Sequence, residues 1–203
     1  MMEQFTTIAT NTFFALPEAL RYLGIFAFSF TEGVPILGSI LPGGTIALLA
    51  GSLSAQGYVV SWLSALIIAV ASFGGDMTGF FIIRRFRTNK WLMKHIGTDS
   101  KATAWEFFDR NLAIIIIFGK LIPIVRSTPA LIAALRGVSV TRYVLYSALG
   151  SMLWAFAGIY GGKVLAELVG SYSLLIILGL LVIGIITFIV KKFFGKKETK
   201  DNL

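Results

Sequence analysis

The sequence predicts an all-α integral membrane protein: an inverted repeat of two re-entrant hairpins, each followed by a transmembrane helix, plus a C-terminal transmembrane helix. Three observations carry this. The 203 residues are 56% hydrophobic and have a mean hydropathy of +0.82, values that belong in hydrocarbon. Two apolar stretches are broken by ionisable residues and prolines into arms too short to span. The basic residues gather in two clusters, 84–101 and 191–200, each beside a long apolar segment, as cytoplasmic flanks do.

Residues 1–16 carry Phe5, Ile8, Phe13 and Phe14 among polar neighbours and read as an amphipathic interfacial helix. The region lacks a basic n-region and a small-residue cleavage site, so no cleavable signal is expected. Residues 17–57 form the first hairpin. Pro17 suits a first helical turn, and the apolar arm that follows, 18–30, is about half a bilayer long. It runs into Thr31-Glu32-Gly33-Val34-Pro35 and then into GSILPGGTIALLAGSLSAQG, so Glu32, Pro35, Pro42 and several glycines interrupt it.

Residues 58–87 are apolar enough to span, with Trp62 near one end and arginines at the other; Gly74-Gly75-Asp76 predicts a kink carrying a buried acid. Residues 88–110 mix Trp, Phe and Ile with Lys and Asp and read as cytoplasmic interfacial helices. His95, the chain's one histidine, lies among lysines there and has no partner ligands.

The second hairpin, 111–137, is the organising feature. FGKLIPIVRSTPALIAALRG places Lys120, Arg126, Pro123 and Pro129 inside an apolar run. A cation at the centre of a single spanning helix costs about 2.5–3.5 kcal/mol, and each proline removes a donor and disfavours helix before it. The arms 111–118 and 130–135 are each about half a membrane long. Broken backbone at that depth is tolerated where it packs in protein or faces water. Ser139 stands where it would cap a spanning helix over 139–168, along which Ser147, Ser151, Ala155, Gly158 and Gly162 offer a close-packing face. Residues 171–194 read as a lipid-facing span with nothing ionisable before Lys191, and 195–203 as a cytoplasmic tail. The whole, 1–203, reads as a single membrane domain.

The two hairpins align. Glu32 on Lys120 matches Phe30 with Phe118 and Pro35 with Pro123; after a one-residue gap Pro42 meets Pro129, and Gly74-Gly75 falls on Gly161-Gly162. With the loop 84–101 cytoplasmic, the first hairpin opens outside and the second to the cytoplasm. That is an inverted-topology repeat with a site at mid-membrane. Repeat one supplies acids, Glu32 and Asp76; repeat two supplies cations, Lys120, Arg126 and Lys163.

Composition narrows the function. The net charge of +8 is explained by topology, with no basic stripe outside the membrane regions, so nucleic acid is excluded as a partner. Cysteine is absent and histidine single, which leaves no metal site, no cofactor and no obvious nucleophile for an intramembrane enzyme.

FTEGVPILGSILPGGTIALLAGSLSAQG, GDMTGFFIIRRF and FGKLIPIVRSTPALIAALRGVSVTRYVLYSALGSMLW, together covering about residues 26–165, resemble the DedA family, bacterial relatives of the VTT-domain (SNARE-associated Golgi) membrane proteins. The resemblance implies a transporter of the cell membrane that moves a lipid phosphate between leaflets, an undecaprenyl phosphate-like carrier or a phospholipid, with proton coupling. A proton- or cation-coupled exporter of small solutes is the alternative. Glu32 matches the family's first essential acid and Arg126 its second hairpin arginine; Lys120 stands where arginine is common. The family often has an acid where this chain has Gly44.

On this reading Lys120, Arg126 and Arg136 receive phosphate, arginine as a planar fork and lysine as a point charge. Backbone N–H groups at Gly43 and Gly44 add donors. Glu32 and Asp76 couple protons: burial and a nearby cation act oppositely on a carboxyl, so its partner sets its proton affinity. The competing reading pairs Glu32 and Asp76 with Lys120 and Arg126 as staples between the hairpins. Beyond the lipid phosphate, membrane lipids are the expected partners; a homo-oligomer is left open.

Overall fold

The computed structural model describes residues 17–34, 44–86, 108, 110–122, 126, 128–170 and 179. The sequence readings for 1–16, for most of 88–110, for the span 171–194 apart from Gly179, and for the tail 195–203 lie outside the described residues, as does Gly43. Every element described is helical: α1 (Glu18–Gly33), α2 (Thr45–Ala55), α3 (Ser61–Phe86), α4 (Leu112–Phe118) continued by a 3-10 turn (Gly119–Leu121), α5 (Thr128–Leu135) and α6 (Val140–Val169). The order short, short, long runs twice. At about 1.5 Å per residue, the 26 residues of α3 and the 30 of α6 reach beyond a ~30 Å hydrocarbon core; the other helices do not.

Proline sets where the first arms end. Val34, before Pro35, is extended (φ −77°, ψ 120°), and Ile122, before Pro123, is extended likewise (φ −99°, ψ 108°). Each lies where the following pyrrolidine ring disfavours helix. Glu32 and Lys120 therefore occupy matching positions in the last turns of α1 and of the α4 extension. Pro17 stands one position outside the expected first turn, its carbonyl accepting from the amides of Leu20 and Arg21.

Two sequence expectations are corrected. Ser139 holds the N-cap position of α6, but through its carbonyl, which accepts from Tyr143 N at 3.1 Å; its side chain makes no cap bond. Gly74-Gly75 does not interrupt α3, which runs unbroken from Ser61 to Phe86. The glycine serves close approach instead. A Cβ on Gly75 would lie 2.3 Å from the carbonyl oxygen of Phe30, and one on Gly33 would lie 2.7 Å from that of Ser72, so α1 and α3 meet backbone to backbone, as small residues permit between membrane helices.

The same device joins α2 to α6, where a Cβ on Gly162 would lie 2.1 Å from the carbonyl oxygen of Leu48. The first short helix of each set packs on the long helix that follows it, α1 on α3 and α4 on α6. The second packs on the long helix of the other set, α2 on α6 and α5 on α3. The two halves are thereby interleaved.

Two apolar clusters result. One gathers Ile25, Ala47, Leu53, Ile68, Trp154 and Ile159; the other gathers Phe80, Ile83, Phe108, Ile116, Ala133 and Tyr143. Along α3 the order is Ile68, Ser72, Asp76, Phe80; along α6 it is Tyr143, Ser147, Ser151, Trp154. The long helices thus run antiparallel, with a polar band between the clusters at mid-length. Phe80 stacks on Tyr143 (centroids 4.2 Å apart), and Arg84 donates to the Val138 carbonyl at 2.8 Å. The outer faces of α3 and α6 expose Trp62, Val70, Phe81, Ile82, Leu145, Leu149, Phe156 and Leu168. So broad an apolar surface fits lipid and not water.

Candidate functional site

Among the described residues the polar band holds four charges. Glu32, Asp76, Lys120 and Arg126 are 3%, 2%, 2% and 4% exposed, far below what such residues show unless paired. They are paired, acid to cation and set to set. Arg126 Nη1 donates to Glu32 Oε2 at 2.7 Å, and Lys120 Nζ pairs with Asp76 Oδ2.

The backbone contact between α1 and α3 explains why two acids lie so near each other. Glu32 precedes Gly33 and Asp76 follows Gly75; the Cβ position of Gly33 is 3.1 Å from the amide nitrogen of Asp76. Two carboxylates in one buried band need compensation, and the second set of helices delivers two cations to it.

Hydroxyl groups complete each pair. Ser147 Oγ donates to Asp76 Oδ2 at 2.7 Å, while Lys120 Nζ donates to Ser147 O at 3.1 Å, Ser147 Oγ at 3.3 Å and Ser151 Oγ. Arg126 Nη2 donates to Ser72 Oγ at 3.3 Å, one helical turn before Asp76. Glu32 Oε1 accepts from the amide of Gly44 at 3.3 Å, the N-cap residue of α2. Gly44 has φ +98°, a left-handed conformation open to glycine, and a Cβ there would lie 2.6 Å from Cη2 of Trp154. Arg126 in turn covers Trp154, its guanidinium carbon 4.7 Å from the ring centroid.

Of the residues singled out from the sequence, Glu32, Asp76, Lys120, Arg126 and Gly44 come together. Arg136 does not: it is exposed in the turn after α5. The pairing that the sequence offered as a rival reading is present. Sequence reasoning missed Ser72 and Trp154 and took Ser147 and Ser151 as packing residues only. The available signal was spacing: Ser72 lies four before Asp76, and Ser147 and Ser151 lie four apart, so each set shares a helical face.

The arrangement holds four paired charges in a dry place. Buried ion pairs contribute little net stability, because desolvation offsets attraction. Ionisable residues within a membrane mark pathways and relays.

Fold and site together define a helical membrane protein built around a buried centre of paired charges. A VTT domain matches residues 41–164, more than half of the chain, and the chain belongs to that family. It is similar to Protein DedA of Escherichia coli (22% identical over 182 residues, 84% of this chain and 81% of the relative). It also resembles the inner membrane protein YghB of Salmonella typhimurium (30% over 139 residues, 66% of this chain and 62% of the relative) and an uncharacterized membrane protein of Mycobacterium leprae (26% over 174 residues, 80% and 76%). The DedA resemblance read from the residues is borne out. No solved structure matches.

Proposed function

We propose that this protein moves a lipid phosphate, a polyprenyl phosphate carrier or a phospholipid, between bilayer leaflets, with Arg126 and Lys120 as the phosphate-receiving cations. The observation that carries the reading is the buried quartet: two acids from the first set of helices hold two cations from the second, at mid-length of α3 and α6. Stability alone does not call for charge here, since well-packed apolar residues of similar volume often fill such a position at no loss. An arginine fork matches the oxygens of a phosphate. The interleaved helices and their opposed charges support an inverted repeat, whose halves rock about a midplane site.

Phosphate beside Arg126 competes with Glu32 for one guanidinium. Occupancy of Arg126 by phosphate and of Glu32 by a proton are then linked, each altering the other by the same factor. That gives proton coupling with a single acid, although Gly44 stands where relatives often carry a second.

Purified protein in vesicles tests this with a labelled lipid phosphate initially in one leaflet. The expected result is movement that depends on the protein, responds to a pH gradient, and loses that response but not lipid binding in Glu32→Gln. Protein-dependent proton or cation flux with a small solute, and no lipid movement, would replace this reading with the exporter.

A further inference from the structure

Arg126 is only partly used by its neighbours. Nη1 serves Glu32 and Nη2 serves Ser72, but the enclosed Nε–H has no acceptor among the described residues. Trp154 repeats the situation: the residue is 7% exposed, and its buried indole Nε1–H has no acceptor among the described residues. The two side chains are neighbours, with the guanidinium carbon 4.7 Å from the ring centroid. A buried donor left without a partner is rare in a native structure and calls for an explanation. Here two occur on neighbouring side chains, one of them a cation.

Their surroundings suit an anion. Gly44, which touches the far edge of the indole, is the N-cap of α2, an 11-residue helix whose N-terminus carries partial positive charge. The four charges of the quartet cancel and the Gly44 amide already serves Glu32 Oε1, so the two unused donors give this corner its positive character.

We propose that Arg126 Nε–H and Trp154 Nε1–H form an oxyanion subsite that receives a phosphate group as it comes to compete with Glu32 for Arg126. A tetrahedral phosphate offers adjacent acceptor oxygens, one to each donor. The subsite rests on the reading of Arg126 as a phosphate-binding cation and adds Trp154 as its second ligand. The group is a lipid headgroup or free phosphate, which share this chemistry.

The full chain in detergent, with ¹⁵N-labelled indoles, tests the subsite. Trp62→Phe, Trp91→Phe and Trp105→Phe identify the Trp154 resonance by exclusion, so the observation needs no change at Trp154. Short-chain phosphatidic acid should move that resonance, and matching diacylglycerol should not. Trp154→Phe, which keeps an aromatic ring beside Arg126 and removes only the N–H, should weaken phosphatidic acid binding tenfold or more, as expected for a hydrogen bond to a charged group.

Movement with inorganic phosphate alone would keep the subsite and overturn the lipid reading. A Trp154 resonance that neither probe moves overturns the subsite, even if labelled lipid crosses the bilayer. Unchanged affinity in Trp154→Phe overturns it equally, leaving the ring as apolar packing.

Discussion

Glu32 Oε2 accepts a hydrogen bond from Arg126 Nη1 at 2.7 Å across 94 positions of sequence. The bond ties the last turn of α1 to the turn between α4 and α5. Removing one partner strands the other as a buried charge. Arg126→Met is therefore expected to destabilise the fold by about 3–5 kcal/mol, and Glu32→Gln/Arg126→Met to recover most of that loss. Denaturant unfolding of the single and double variants in detergent checks this. Additive losses would show that the two side chains are not coupled.

Ser147 and Ser64 are both fully buried serines with opposite expectations. Ser147 serves Asp76 and Lys120 together, so Ser147→Ala should cost about 1.5–3 kcal/mol, the range for bonds to charged groups. Ser64 Oγ has no partner among the described residues, and Ser64→Ala should be neutral or stabilising. The same unfolding measurement compares them.

Close approach makes a third contrast. Gly162→Ala puts a methyl 2.1 Å from the carbonyl oxygen of Leu48 and must part α2 from α6, at a cost of about 1–3 kcal/mol. Gly24, inside α1, has nothing within 4 Å of its Cβ position. Gly24→Ala should stabilise by about 0.5–1 kcal/mol through helix propensity. Melting temperatures moving the same way would contradict this packing.

Much of this was legible in the sequence because membrane insertion is demanding. A charge or a proline in an apolar run is too costly to be incidental, so Glu32, Asp76, Lys120 and Arg126 announced themselves, and Pro35 and Pro123 marked the ends of the first arms. Which acid meets which cation was not legible. It depends on the interleaving of α2 with α6 and α5 with α3, a long-range choice made by glycines that read locally as breaks. Gly75 is the clearest case: beside Gly74 it suggested a kink, whereas contact with Phe30 needs it in a continuous helix. Trp154 was hidden for the opposite reason. An aromatic residue in an apolar helix carries no signal until its N–H is found enclosed.

The orientation expected from the basic clusters is tested independently of the site. The chain has no cysteine, so single cysteines are unambiguous reporters. Those at Ser54 and Ser171 should react with an impermeant reagent from outside, and those at Thr88 and Thr199 only from the cytoplasm. Outside labelling at Thr88 would overturn the inverted topology.

The central claim is that Arg126 receives a phosphate through the geometry of its guanidinium, and Arg126→Lys addresses it most directly. Lysine keeps the positive charge within reach of Glu32 but replaces a planar fork with a point charge. In vesicles holding equal amounts of folded protein, movement of labelled lipid phosphate should fall about tenfold or more, the loss of one charge-assisted hydrogen bond, and Arg126→Ala should abolish it. Transport by Arg126→Lys at the wild-type rate would contradict the account.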